Sequence, residues 1–264
     1  MDTLAEKILN ERNYFKKLEL VYYLKKLTGI YFDNSVILKT ELARMFIEDR
    51  KLKVDENLVV TACLLCSCKK KKNATNFENI LKYAKEGAEF LEQLGFNKRF
   101  CKICEEVNRY SNSGIREIES DILEVVDSFG GLVLDRPERK GFPIDEALVL
   151  TEYRNFKGFK NNFMDEFKEF VNKNEKIEKN NELLTINDTN GPISSLIKMI
   201  KNCEKASIEV NNVINFLGRD RKQVLDEINK YKGKTENIIE KSEEIERKNR
   251  AKDFGIGNFN KNSM

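Results

Sequence analysis

Residues 121–148 read DILEVVDSFGGLVLDRPERKGFPIDEAL. Ile122, Val125, Val126 and Phe129 recur at three- and four-residue spacing with Ile118 upstream, which predicts an amphipathic helix from Arg116 to Phe129. Pro143, ahead of Asp145 and Glu146, reads as the first turn of another helix, where proline's missing donor costs nothing and acidic side chains face the positive helix end. The charged turn DRPERK separates the two. Neither here nor elsewhere does the chain alternate with the period of a strand, so the pattern is all-α.

Working outward, Leu4, Ile8, Phe15, Leu18 and Tyr22 form a helical stripe from about Asp2 to Leu27, closed by Gly29. A second helix runs from about Asn34 to Asp49, with Leu38, Leu42, Met45 and Phe46 on one face. Asp55 is placed to cap a third, whose centre LVVTACLLC is apolar nearly all round, the mark of a helix buried on several sides. Thr75 and Glu78 form a capping box for a fourth, with Ile80, Ala84, Gly87, Ala88 and Leu91 inward and Gly95 as its stop. Phe100, Ile103, Cys104 and Val107 mark a fifth.

Two of these stretches resemble the HD superfamily of metal-dependent phosphohydrolases, and the second resembles its HD-GYP branch. In the family a buried leucine-rich helix ends in His-Asp, and a later helix carries a His four residues before Gly-Ala-x-x-Leu-x-x-Leu-Gly-Phe. The scaffold residues stand here as Leu64, Leu65, Gly87, Ala88, Leu91, Leu94, Gly95 and Phe96. Asp127, Phe129, Asp135, Arg136, Pro137, Arg139 and Lys140 follow the HD-GYP ending, in which a helix delivers a last metal-ligating Asp before Asp-Arg-Pro-x-Arg-Lys. The resemblance covers roughly residues 35 to 155. It implies an HD-like helical bundle and, through the HD-GYP branch, a signalling ancestry in cyclic di-GMP hydrolysis.

The family's ligands are another matter. Its His-Asp pair falls on Cys66 and Ser67, its later His near Tyr83, its first His near Ser35, and its His-His-Glu run on about Glu106, Val107 and Asn108. Gly-Tyr-Pro is absent, and RYSNSGIRE stands in its place. Of the usual ligands only Asp127 remains. The chain has no histidine at all, which excludes His-ligated zinc or di-iron sites and any His-dependent triad. If a metal were held by replacement ligands, Cys66, Glu106 and Asp127 are the candidates, with Cys68 beside them. Cys63/Cys66 and Cys101/Cys104 have zinc-knuckle spacing, but they sit at helix-core positions, where cysteine behaves as a small hydrophobe. Lys69 and Lys70 open a basic run where the family has the loop after His-Asp. With Arg136 and Arg139 they are the candidate ligand-binding residues, for a phosphate or nucleotide. The bland alternatives are a solvated lysine loop and ion pairs that lock the arginine turn.

Beyond Asn155 a short amphipathic stretch (Phe163, Phe167, Phe170, Val171) leads into polar, linker-like sequence. From Pro192 onward Ile193, Leu196, Ile200, Cys203, Val210, Ile214, Leu217, Val224, Ile228, Tyr231, Ile238 and Ile245 share one heptad register, broken at Ser207, Arg221, Thr235 and Ser242. This reads as a long coiled-coil helix seeking a partner, or as two antiparallel helices hinged at Gly218 and packed on the domain. The expected organisation is therefore an N-terminal helix packed on the core (1–34), a degenerate HD/HD-GYP-like domain (35–160), a short helix and linker (161–191), a heptad-bearing extension (192–250) and a disordered tail (251–264).

With 47 Lys and Arg against 44 Asp and Glu, no strong field calls for DNA or an anionic membrane. No apolar run approaches the roughly 20 residues of a membrane span. The charged N-terminus does not read as a signal peptide, and six cysteines crowded around CLLCSC do not form a secreted framework, so the cytoplasm is expected. The function expected is a pseudoenzyme: a binding or scaffolding signalling module without cofactor. It would recruit a protein partner or self-associate through the C-terminal helix. The rivals are a phosphohydrolase with a non-standard Cys/Asp/Glu metal site and a structural coiled-coil adaptor.

Overall fold

The computed structural model describes residues 3–70, 77–107, 115–136, 139–155, 161–175 and 191–217. Among these there are eleven α-helices and no strand, and the one isolated bridge pairs Arg136 with Arg139. No helix among the described residues is long and apolar enough to cross a membrane.

The N-terminal stripe is divided into α1 (Leu4–Asn10) and α2 (Tyr14–Thr28). The pattern read it as one helix, but Glu11 turns extended and Asn13 caps α2 by accepting from the Lys16 amide. The break rephases the second half, leaving Phe15 41% exposed and turning Lys17 inward. Lys17 Nζ donates to Ile8 O and to Thr61 Oγ1, both at 2.6 Å, stitching α1 and α2 to α4 (Glu56–Leu65). Gly29 ends α2 with φ +68°, a left-handed turn that glycine adopts without strain.

Helix α3 (Asn34–Arg50) is the spine of the molecule, packing on α4, α7 (Ile118–Val133), α9 (Met164–Glu175) and α10 (Pro192–Lys205). Asp33 caps it through the Ser35 and Val36 amides. Helix α4, capped by Asp55, buries every residue from Val59 to Leu65, as its all-round apolar sequence requires. Helices α5 (Phe77–Gln93) and α6 (Lys98–Glu105) form a hairpin across Gly95, whose φ of +91° lets the Phe96 amide bond back to Leu91 O. Thr75, the cap of the expected capping box, lies outside the described residues.

Helix α7 runs one turn past Phe129, through Gly130 and Gly131. After it, α8 (Ile144–Asn155) packs back on α7, starting one residue beyond Pro143. The stretch set down as a short helix outside the domain is part of the core. Phe167 and Phe170 of α9 meet Phe46 at 5.2 and 5.4 Å, and Phe167 meets Phe129 at 5.3 Å, in edge and tilted contacts. Each such fully buried ring contributes about 2 kcal/mol or more.

The heptad stripe is also spent inside the fold over its described length. It does not run as one helix: α10 ends at Lys205, and α11 (Val210–Leu217) begins anew. Ser207 is left-handed (φ +52°), with its amide on Glu204 O and the Ile208 amide on Cys203 O, the bonding that closes a helix end. The described part thus breaks at Ser207, an interruption of the apolar seam; the hinge expected at Gly218, with everything after it, lies outside the described residues. Ile193, Ile200, Cys203, Val210 and Ile214 are buried, with α10 on α3 and α9 and α11 on α2 and α3. The buried Glu175 fixes this arrangement by accepting the Ile193 and Ser194 amides at 2.9 and 3.0 Å.

Candidate functional site

The site is built around a residue the sequence pattern did not single out. Lys39 of α3 is 2% exposed and points into the gap between α3, the turn after α4, and α7. Its Nζ donates to Ser67 Oγ at 3.1 Å and forms a short ion pair with Asp127 Oδ1. Cys66 Sγ lies 3.7 Å from Ser67 Oγ. Glycine makes room for the lysine stem: a Cβ at Gly130 would stand 2.8 Å from Lys39 Cγ. Lys39 therefore needs both Asp127 and Gly130 of the same helix, one for its charge and one for its volume.

The electrostatics follow from burial and pairing. Burial pulls the Lys39 ammonium down, but Asp127 and then Cys66 more than reverse it, holding it above the ordinary lysine value. Burial likewise pushes the Asp127 carboxyl up. Lys39, then Lys70, outweigh that and keep it below its ordinary value, so the pair is ionised at neutral pH. Cys66 is pushed up to about 11, chiefly by burial, and is a neutral thiol. Tyr83, buried on α5, has its hydroxyl held well above its ordinary value by burial first and the Asp127 charge second.

Beside this cluster opens a cleft of about 410 Å³ lined by Lys25, Tyr31, Asp33, Cys68, Lys69 and Lys70 among others. Tyr31 donates to Asp33 Oδ2 at 2.5 Å and stands 3.4 Å from Ser35 Oγ. Lys69 Nζ lies 3.6 Å from the centre of the Phe90 ring and Lys70 Nζ 5.9 Å from that of Tyr31. Lys70 links the cleft to the cluster. Its ammonium is pulled below the ordinary value by burial first and by Lys39 second, with Arg136 adding to the repulsion and Asp127 opposing it.

The predicted residues are thus sorted. Lys69 and Lys70 line the cleft, and Arg136 lies over Gly131, its guanidinium 3.0 Å from where a Cβ would be, with its charge felt at Asp127 and Lys70. Arg139 is not available as a ligand group. It donates to the carbonyls of Gly131, Leu132 and Lys140 at 2.9, 3.0 and 3.0 Å and stacks on Phe142, so it closes the end of α7. Asp135 does form an ion pair, with Lys201 of α10 at 3.2 Å.

Glu106 does not converge with Cys66 and Asp127. It is fully buried and accepts the Glu117 amide at 2.9 Å and Ser120 Oγ at 2.6 Å, organising the start of α7. Ser120 and Asp127 are about 10 Å apart along the helix axis. Among the described residues no group of three or more His, Cys, Asp or Glu side chains could hold a metal ion. All six cysteines are buried and unpaired to one another, with Cys63 and Cys104 well above the ordinary thiol value through burial and Cys101 at about 11 for the same cause.

Lys39 was legible in part. It falls between Leu38 and Leu42 on the apolar side of its helix, three residues after Val36, where a lysine demands a counter-charge. Nothing in the local pattern names Asp127, 88 residues away, as that charge. No known family model, curated protein or solved structure matches this chain.

Proposed function

We propose that the chain is a degenerate HD/HD-GYP-like domain that has lost phosphoester hydrolysis and acts as a signalling module binding an anionic, phosphorylated ligand. The observation that carries this reading is the ammonium of Lys39, paired with Asp127, the one family metal ligand the resemblance leaves in place. A hydrolytic metal centre lowers the pKa of a bound water and clamps phosphoryl oxygens, and it needs several anionic or imidazole donors to do so. Around Asp127 stand instead a cation, a serine hydroxyl and a neutral thiol. These residues do not fit a divalent ion. An internal cation and an external one compete for the same carboxylate, and the internal one is covalently tethered.

What supports a bound anion is the balance of charge. Lys39, Lys70 and Arg136 all act on Asp127, and Lys25 and Lys69 add positive charge at the cleft. An anion entering beside Lys70 would relieve the repulsion among these cations. The scaffolding part of the reading falls to residues beyond Leu217, because Ile193, Leu196, Ile200, Cys203, Val210 and Ile214 are buried within the chain.

The test is the metal content of protein purified without a His tag, followed by titration with cyclic di-GMP at low salt. The reading expects less than about a tenth of an equivalent of iron, manganese or zinc. It also expects binding that weakens about tenfold in Lys70→Ala and with rising salt. One or two equivalents of metal, lost in Asp127→Ala, together with turnover of the dinucleotide, would overturn it.

A further inference from the structure

Lys70 stands half-buried where the cleft meets the Lys39–Asp127 pair, and among the described residues no carboxylate or carbonyl accepts from its Nζ. Both carboxylates that act on it are already engaged. Asp127 is held by Lys39, and Asp33 accepts the Tyr31 hydroxyl at 2.5 Å through Oδ2 and the Ser35 amide at 3.0 Å through Oδ1. Lys69, beside it in the cleft, is better placed to stay charged. Its Nζ lies 3.6 Å from the centre of the Phe90 ring, whereas the Tyr31 ring, 5.9 Å from Lys70, is at the limit of such an attraction.

The charges gathered here do not balance. Lys25 of α2, Lys39 of α3, Lys69, Lys70 and Arg136 face Asp33 and Asp127, five positive groups to two negative. The thiols of Cys66 and Cys68 and the hydroxyls of Tyr31 and Tyr83 are all pushed up by burial, so they are neutral and leave that count unchanged. Burial and then Lys39 pull the Lys70 ammonium below its ordinary value, so more of it stands as neutral amine than at an exposed lysine. A lysine amine that is desolvated and set beside another cation is an activated nucleophile.

We propose that the Lys70 amine takes up carbon dioxide as a carbamate, supplying the anion that the cations around it lack. The amine nitrogen bonds to the carbon of carbon dioxide, one C–O π pair moves onto oxygen, and the proton displaced from nitrogen passes to solvent. One ammonium is thereby exchanged for one carboxylate-like anion, and the count becomes four positive to three negative. Lysine and arginine donors hold such an anion by charge-assisted hydrogen bonds, as they hold any carboxylate. The inference goes beyond the nucleotide reading: a carbamate is an internal anion, and it competes with a phosphorylated ligand for the same cations.

The experiment incubates the full chain with isotopically labelled bicarbonate near neutral pH, traps carbamates by ethylation with triethyloxonium, and maps the label by peptide mass spectrometry. The expected result is label on Lys70 severalfold above that on Lys25 and Lys69, saturating with dissolved carbon dioxide and rising with pH at a fixed amount of it. Arg136→Gln, at an exposed side chain, should lower that label severalfold, because it removes a cation that both suppresses the ammonium and stabilises the carbamate. No label on Lys70, label spread evenly over the cleft lysines, or label indifferent to Arg136→Gln overturns the proposal. Label on Lys70 in a protein that does not bind cyclic di-GMP would leave this inference standing and sink the nucleotide reading, and the reverse pair of results would do the opposite.

Discussion

Lys17 and Lys39 are buried to nearly the same extent, 1% and 2% exposed, yet their ammonium groups are displaced in opposite directions. Lys17 donates only to a carbonyl and a hydroxyl, and burial, opposed weakly by Glu11 and Asp55, pulls it down to about 8. Lys39 has the carboxylate of Asp127, which overrides the same burial and holds it above the ordinary value. Burial alone drives a lysine toward neutrality, and neutral oxygens satisfy its hydrogens without repaying its charge. Lys17 is a clip between helices, whereas Lys39 and Asp127 form an internal ion pair at the place where the family resemblance puts a metal ligand.

The largest expected effect comes from breaking that pair. Lys39→Met leaves Asp127 without its counter-charge and is expected to cost about 3 kcal/mol in urea unfolding at pH 7, the low end for a broken buried pair. The low end applies because the Asp127 side chain keeps 20% of its surface in water. Adding Asp127→Asn should recover much of that loss, and strictly additive losses in the double-mutant cycle would show that the two do not act as a unit.

Gly130→Ala comes next. Its Cβ forces the Lys39 stem aside, an overpacking cost of about 1–2 kcal/mol. The loss should vanish in a Lys39→Ala background, and its persistence there would place the strain elsewhere.

The pH dependence separates the two lysines most directly. A lysine lowered to about 8 in the fold and near 10.5 when unfolded binds fewer protons folded than unfolded between those values. Its contribution is complete above about 10.5 and is lost as the pH falls through about 8, so wild type should gain stability over Lys17→Met across that rise. Lys39 is displaced the other way, so its contribution is complete below about 10.5 and is lost only as the pH climbs through its raised value. Asp127, held low, contributes fully above about 3.9 and loses that as the pH falls through its depressed value. Between about 4 and 10.5 the stability difference between wild type and the Lys39→Met, Asp127→Asn double variant should therefore be flat.

The smallest effect is on the thiols. Cys66, at about 11, is protonated at pH 8 despite its cationic neighbour, and all six cysteines are buried. Labelling by a thiol reagent should follow global unfolding and accelerate in Lys39→Met. A thiol that reacts at once in the native protein would mean that the Cys66 pocket is open to solvent.

Local chemistry made much of the fold legible. Gly29 and Gly95 stop helices because each takes a left-handed turn, Asp55 begins one because its carboxylate accepts a first-turn amide, and the apolar run around Leu58–Leu65 is buried on every side. The errors fall at helix ends that the apolar stripe runs across. α1 stops at Asn10 while Lys17 reaches back to Ile8 and across to Thr61, and α10 stops where Ile208 folds back on Cys203. The heptad register passes through both states, since apolar spacing records which side of a helix is buried and not what buries it.

By itself the sequence determined an all-helical chain without imidazole, with Lys70 and Arg136 among its candidate anion-binding residues. Only the tertiary structure decided that Lys39 would pair with that aspartate, that Arg139 and Glu106 would be consumed in closing and opening α7, and that α9 and α10 would join the core. The reason is physical. Periodicity and capping are properties of near neighbours along the chain, whereas a buried charge is settled by whichever opposite charge the packing of separate helices brings within reach.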